Sequence, residues 1–102
     1  MKTYKVEIDS SALADIEELT DWLYSMMSLH TANRYLDAMA AEIKSLSLFA
    51  NLYGVSRYRD VRAVHPMARR MVSHNKKWMY IFHIEKDVVV VDRIRPVKMI
   101  KG

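Results

Sequence analysis

The chain has 102 residues, of which 51% are hydrophobic and 27% are charged, with two Gly, two Pro and no Cys. These proportions are typical of a single globular domain over residues 1–102, and they exclude a disordered, collagen-like or disulfide-stabilised chain. No apolar run approaches the roughly 20 residues that span a bilayer, so we expect a cytoplasmic protein without membrane contact.

Charge is distributed unevenly along the chain. Residues 1–56 carry four Lys or Arg against eight Asp or Glu, whereas residues 57–102 carry twelve against four. A basic half of this kind is typical of a protein that binds an anionic partner, either nucleic acid or an acidic protein segment. The alternative is a solvated surface that only maintains solubility.

The N-terminal segment predicts a strand followed by a helix. Residues 4–8 alternate between apolar and charged types, which is the period-2 pattern of a half-buried strand. Residues 9–11 supply N-cap oxygens, and apolar residues spaced by three and four then predict a helix over about 12–26. Asp15 falls in the first turns of this helix, where the helix dipole favours negative charge.

A second helix is predicted after a short break at residues 28–31. Its apolar stripe runs from Tyr35 to Leu46 at helical spacing. Two amphipathic helices with so short a link are expected to form an antiparallel hairpin. Met at helical spacing is most often a core residue, so we expect Met26 and Met39 in the core.

The C-terminal half predicts three strands. Residues 51–66 are irregular and contain a basic cluster, and strands follow at about 68–73, 78–84 and 88–94. Both faces of the middle strand are apolar, as expected of a central strand covered on one side and partly occluded on the other. The predicted fold is therefore α+β, in the order β-α-α-β-β-β, with the helical hairpin packed on one face of a mostly antiparallel sheet.

The last strand carries two arginines that could act together. Because side chains alternate along a strand, we expect Val89, Val91, Arg93 and Arg95 to share one face. If the helices cover the other face, Arg93 and Arg95 line an open concave surface that can bind phosphates through bidentate contacts. Contact with an acidic protein, or solubility alone, is the alternative. The predicted target-binding basic face comprises Arg69, Arg70, Lys76, Lys77, Arg93, Arg95 and Lys98.

The sequence lacks the usual signatures of metal and cofactor chemistry. Two glycines cannot build a phosphate loop or a nucleophile elbow, and a chain without Cys has no thiolate zinc site. The four histidines are far apart, with no carboxylate at ligand spacing, so we expect neither a metal nor a cofactor. His83 lies within an apolar strand and is interpreted as a packed or edge-facing residue.

The element order and several segments resemble the RelE/ParE superfamily of toxins, over nearly the whole chain. Asp9–Leu23 is similar to their first helix, which begins at a serine and continues through an Ala, an Asp followed by an aliphatic residue, and an aromatic–aliphatic pair. Their second helix with its exit, and their closing strands, resemble Ala32–Leu48, Leu52–Gly54, Arg69–Arg70, Trp78–Ile84 and Val88–Arg95.

The resemblance implies the toxin of a type II toxin–antitoxin (plasmid stabilisation) module, which a small antitoxin encoded beside it binds and neutralises. RelE-like members cleave mRNA in the ribosomal A site, whereas ParE-like members poison DNA gyrase and have no recognised nuclease site. The RelE pattern places a catalytic Arg early in the central strand, where this chain has Trp78 and Met79, and it often ends with a Tyr or His-Tyr that residues 96–102 lack. If the protein is a nuclease, the candidate catalytic residues are Arg93, Arg95, His74, His83 and Lys98.

These departures favour gyrase poisoning, because RNA cleavage needs a proton acceptor, a proton donor and cations at the phosphate. A third hypothesis is a non-toxic homologue that only binds the antitoxin. In each case an amphipathic antitoxin segment is expected to cover apolar helix surface and to place acids against the basic sheet. The expected partners are the antitoxin with gyrase, or with ribosome and mRNA, in a homodimer or a toxin–antitoxin hetero-oligomer. The expected antitoxin-binding residues are Leu19, Trp22, Met26, Tyr35 and Met39.

Overall fold

The order of elements confirms the predicted β-α-α-β-β-β arrangement. The structure, a computed structural model, describes residues 2–97. The segment that the sequence predicts to be irregular, residues 51–66, contains a short helix at Arg59–Arg62, and a single turn of 3₁₀ helix at Ala50–Leu52 overlaps its start. In chain order the elements are β1 (Lys5–Ile8), α1 (Ser10–Met26), α2 (Leu29–Phe49), α3 (Arg59–Arg62), β2 (Arg69–Val72), β3 (Trp78–Glu85) and β4 (Val88–Pro96).

Side-chain caps determine where the two long helices begin. The Asp9 carboxylate accepts a hydrogen bond from the Ser11 N–H at 3.0 Å, and the Ser28 hydroxyl oxygen accepts one from the Thr31 N–H at 3.2 Å. Each cap satisfies one of the N–H groups that a helix leaves free at its start. Because Ser28 is already the cap, α2 begins at Leu29 and the break is shorter than predicted.

The four strands form one sheet in the order β1-β4-β3-β2. The N-terminal strand β1 pairs in parallel with β4, and both other pairings are antiparallel. The sheet is therefore mostly antiparallel, as predicted. Among residues 2–97, no helix is long and apolar enough to cross a membrane.

The helical hairpin packs on one face of this sheet. Alternate residues of β3, namely Trp78, Tyr80 and Phe82, face α2 and are buried with its Met39 and Leu46. The apolar stripe of α2 thus meets the period-2 face of the central strand, and burial of the two against each other is the main source of stability.

The opposite face of the sheet is covered as well. Met79 and Ile81 of β3 are fully buried there against Val61 of α3 and Ala68, which precedes β2. The middle strand is therefore apolar on both faces because both faces are covered. The predicted open concave surface is wrong over this part of the sheet, since α3 and its flanking residues occupy it.

A β-bulge in β4 changes the side on which its residues lie. Val91 pairs with Phe82, whereas Arg93 pairs with Ile81, so Asp92 is an extra residue on β4. Val91 therefore packs in the core beneath the hairpin. Arg93 lies on the other face of the sheet, beside its partner Ile81. The prediction that Val89, Val91, Arg93 and Arg95 share one face is wrong, because strict alternation fails at the bulge.

Candidate functional site

The two adjacent arginines of β2 lie on opposite faces of the sheet. Arg69 pairs with Phe82 on the hairpin side, and its Nη1 donates to the Tyr53 carbonyl at 2.6 Å. Arg70 lies on the second face, with its guanidinium carbon 4.2 Å from the centroid of the Tyr58 ring. Each guanidinium is therefore partly occupied by a contact within the chain, and the two do not contribute to one common surface.

Arg93 is held by α1. Its Nε and Nη2 donate to the two carboxylate oxygens of Asp15 at 2.8 and 3.0 Å, and Asp15 also accepts from the backbone N–H of Ile94 at 2.9 Å. The last residue of β1, Ile8, pairs with Val91, so within residues 2–97 β4 has no strand neighbour on this side beyond that point. Asp15 thus satisfies a donor at the unpaired edge of the sheet.

Electrostatics support a structural role for this pair. Burial opposes ionisation of Asp15, but the hydrogen bonds from Arg93 and from the Ile94 N–H outweigh it and lower the pKa of that carboxyl. The hydrogen bond to Asp15 in turn raises the pKa of Arg93. Much of the Arg93 charge is consequently neutralised within the chain, and substitution of Arg93 tests stability at least as much as target binding.

Arg95 lines a polar cleft between β4, α3 and the start of α1. This cleft has a volume of about 320 Å³ and contains three carboxylates, those of Asp9, Asp60 and Asp92, besides Arg93 and Arg95. Its charge is mixed, so it is suited to hydrogen bonding with a polar partner and less to holding a polyanion by charge alone.

Glu42 of α2 fastens the turn between β2 and β3. Its Oε2 accepts from the backbone N–H of His74 at 2.6 Å, and its Oε1 accepts from the Tyr80 hydroxyl at 2.5 Å. Burial first, and then the hydrogen bond to Glu42, raise the pKa of Tyr80, so this phenol stays protonated and remains a donor. The two exposed cations of the turn, Lys76 and Lys77, are thereby held beside α2.

A second cleft separates this turn from α2. It has a volume of about 310 Å³, and the Lys77 ammonium lies 5.5 Å from the centroid of Tyr35 beside it. The cleft offers an aromatic wall together with cationic and hydroxyl groups, so it can accept an acidic or amphipathic segment. Its lining comprises Thr31, Arg34, Tyr35, Ala38, Glu42, His74 and Asn75.

The two histidines among the candidate nuclease residues lie far apart. His74 precedes β3, whereas His83 lies near its far end, and the extended strand from Trp78 to His83 spans about 16 Å. His83 is buried, and its Nδ1 lies 2.6 Å from Asp92. Lys98 lies outside the described residues.

The predicted antitoxin surface is partly exposed and partly core. Trp22 and Met26, in the last turns of α1, are 49% and 65% exposed. Leu19 and Tyr35 are partly buried against the hairpin core, and Met39 is only 2% exposed. The expected core position is therefore right for Met39 and wrong for Met26, and Met39 is not available to a partner on this surface.

Sequence reasoning missed three residues that shape these surfaces. Asp15 was expected to act on the helix dipole, but it lies beyond the first turn of α1, on the same stripe as Ala12 and Leu19. A carboxylate on an apolar stripe is the signal that could have indicated a buried partner. Glu42 has the same signal on α2, whereas nothing in the sequence marks Leu29 as an exposed residue at the start of α2.

Similarity to known proteins identifies the family of this chain. The family profile described as "ParE toxin of type II toxin-antitoxin system, parDE" matches residues 6–100. The fold is similar to a solved chain titled "Chromosomal ParDE TA system from P. aeruginosa", with a TM-score of 0.77 and 16% identity over 93% of this chain and 97% of that one. No curated protein matches the sequence.

The family profile over residues 6–100, together with a helical hairpin on a four-stranded sheet in this order, defines a toxin of the RelE/ParE superfamily. Within that superfamily, the match over residues 6–100 is to one branch. The chain belongs to the ParE toxin family of type II toxin–antitoxin systems.

Proposed function

We propose that this protein is a growth-inhibiting cytoplasmic toxin that acts on DNA gyrase and is neutralised by a cognate antitoxin. The observation that carries the proposal is membership of the ParE family across residues 6–100. The basic C-terminal half and the exposed apolar side chains of the hairpin supply the two kinds of surface that a target and an antitoxin require.

The arrangement of the candidate nuclease residues supports gyrase over mRNA as the target. Cleavage through a ribose 2′-oxygen needs a base, an acid and cations around one phosphate. Here His74 and His83 lie at opposite ends of β3, and Arg93 is engaged by Asp15. The position of the RelE catalytic Arg is taken by Trp78 and Met79, which are both buried.

Pulse labelling after brief induction in a bacterium tests the target. We expect DNA synthesis to fail before protein synthesis, and purified gyrase to accumulate cleaved DNA when the toxin is added. An immediate fall in protein synthesis, with transcripts cut within codons, would contradict the proposal and indicate an mRNA interferase. Normal growth at full expression would contradict it as well and indicate a non-toxic antitoxin-binding homologue.

The cations of the β2–β3 turn are the best-defined part of the proposed target surface. Lys76 and Lys77 are exposed, and Glu42 holds their turn in place. We expect the Lys76→Ala, Lys77→Ala variant to stay folded and to lose toxicity. The matched control is Lys5→Ala, Lys44→Ala, which removes the same charge from exposed positions in β1 and α2. Equal toxicity of the two double variants would exclude the turn from the target surface.

The exposed end of α1 is the proposed first contact of the antitoxin. Trp22 and Met26 are spaced by four residues, so they lie on one side of the helix, and an amphipathic segment can cover them. We expect Trp22→Ala, Met26→Ala to weaken binding of the protein encoded beside the toxin by at least about tenfold, or about 1.4 kcal/mol. Leu52→Ala, which alters a still more exposed apolar residue beyond the other end of the hairpin, serves as the control.

Light scattering on the same samples gives the mass of the toxin alone and of its complex. It distinguishes a homodimer from a toxin–antitoxin hetero-oligomer.

A further inference from the structure

Two histidines that are remote in the sequence stack on one another at the second face of the sheet. The rings of His65 and His83 are parallel within 1°, with centroids 3.8 Å apart. Glu85 follows His83 by two residues on β3, so both side chains extend from the same side of the strand. One ligand atom from each of these three residues lies within 4.8 Å of the others. The expectation that the histidines lie far apart, with no carboxylate near them, is therefore wrong for this pair.

Asp92, the extra residue of the β4 bulge, determines which nitrogen of His83 faces outward. Its Oδ2 lies 2.6 Å from Nδ1 of His83, and the side chains of His83 and Asp92 are only 7% and 15% exposed. A carboxylate in this position holds the ring proton on Nδ1, as in the carboxylate–histidine pairs of metal sites. The Nε2 lone pair then faces Oε1 of Glu85 at 3.3 Å. Two acceptors that face each other attract a cation, which is either a proton on Nε2 or a metal ion.

His65 has to turn before it can act as a third ligand. Its Nδ1 accepts a hydrogen bond from the Met67 N–H at 3.0 Å, and parallel rings direct their lone pairs side by side rather than to one point. The imidazole of His65 is partly exposed, so it is able to rotate. Rotation breaks this single hydrogen bond and brings a ring nitrogen toward Nε2 of His83 and the Glu85 carboxylate.

We propose that His65, His83 and Glu85 bind a divalent transition-metal ion of the zinc class. Two imidazoles and one carboxylate are a donor set that suits Zn²⁺ with water in the fourth position, whereas Ca²⁺ and Mg²⁺ prefer oxygen ligands. The ion joins the connection between α3 and β2 to the central strand, so it holds the covering segment on the second face of the sheet. This inference is independent of the cellular target of the toxin.

Calorimetric titration of tag-free, chelator-treated protein with ZnCl₂ at neutral pH tests the proposal. We expect one Zn²⁺ per chain with a micromolar dissociation constant, and an affinity lower by about tenfold or more in Glu85→Gln and in His65→Ala. Neither side chain is buried in the core, so we expect both variants to stay folded and to keep His83 in place on β3. The control is His74→Ala at the β2–β3 turn, which should bind as the unmodified protein does.

NMR of the ring nitrogens distinguishes a bound metal from a bound proton. Zn²⁺ should shift the Nε2 resonance of His83 and leave that of His74 unchanged. Ring resonances that do not respond to Zn²⁺ would mean that no metal ion enters the space between Nε2 of His83 and Oε1 of Glu85. This result would overturn the proposal. The absence of saturable binding, or equal affinity of Glu85→Gln and the unmodified protein, would overturn it too.

Discussion

Substitution of Asp15 tests how α1 is held on the sheet. The Asp15 side chain is 11% exposed, and its two oxygens accept three hydrogen bonds, two from Arg93 and one from the Ile94 N–H. Asparagine has nearly the same shape, but it is neutral and has only one acceptor oxygen. Asp15→Asn therefore loses the ion pair and the bidentate contact, and its single acceptor oxygen keeps at most the two bonds that Oδ2 accepts, from Arg93 Nε and from the Ile94 N–H.

The expected loss of stability follows from these contacts. A hydrogen bond to a charged group contributes about 1.5–3 kcal/mol, and breaking a buried ion pair costs about 3–5 kcal/mol. The Arg93 side chain is 35% exposed and regains water when its partner is removed. We therefore expect the lower part of this range, a decrease of about 2 kcal/mol in the free energy of unfolding at neutral pH.

The same contact predicts a pH dependence. The pKa of Asp15 is lower in the folded chain than its ordinary value, so the folded state binds this proton more weakly than the unfolded state does. Its contribution to stability is fully present above the unfolded pKa of about 3.9, and it is lost as the pH falls through the lower folded pKa. The difference in stability between the unmodified protein and Asp15→Asn should accordingly shrink below about pH 4.

Urea unfolding followed by circular dichroism, at neutral and at acidic pH, measures this difference. Asp21→Asn makes the same chemical change at an exposed position of the same helix, and it should alter stability by no more than about 0.5 kcal/mol. A loss for Asp15→Asn as small as that of the control, or one that does not change with pH, would refute the inference that Asp15 anchors α1 to β4.

Four further substitutions test the packing. Tyr80→Phe leaves Glu42 without a buried donor and should lower the free energy of unfolding by about 1–3 kcal/mol; an unchanged urea midpoint would contradict the role of this hydroxyl. Met39→Ala opens a cavity in the hairpin core and should cost about 2–5 kcal/mol, whereas Met26→Ala, at an exposed site, should leave thermal stability nearly unchanged. Val61→Ala should increase proteolysis of the segment that covers the second face more than it lowers global stability, and equal protease sensitivity would show that α3 is not held by this contact.

Local pattern in the sequence determined the elements and much of their burial. Alternation over residues 4–8 and helical spacing in the next two segments predicted β1 and the hairpin, since each pattern depends only on which face of one element is buried. The apolar run at Trp78–Ile84 likewise predicted a central strand, although it predicted one face to be only partly occluded where α3 covers it. The fold class depended on these features, and the family resemblance depended also on particular segments such as Asp9–Leu23; both are confirmed.

The tertiary structure decided which side chains meet. Asp92 forms a bulge because of how β4 pairs with β3, and this bulge places Arg93 and Arg95 on the face of the sheet opposite Val91. Packing between distant segments likewise places α3 over the second face and stacks His65 on His83. The periodicity of a segment indicates which face of that element is buried. Strand register, bulges and the covering of a sheet face depend instead on the free energy of contacts between segments tens of residues apart. No local pattern in the sequence contains this information.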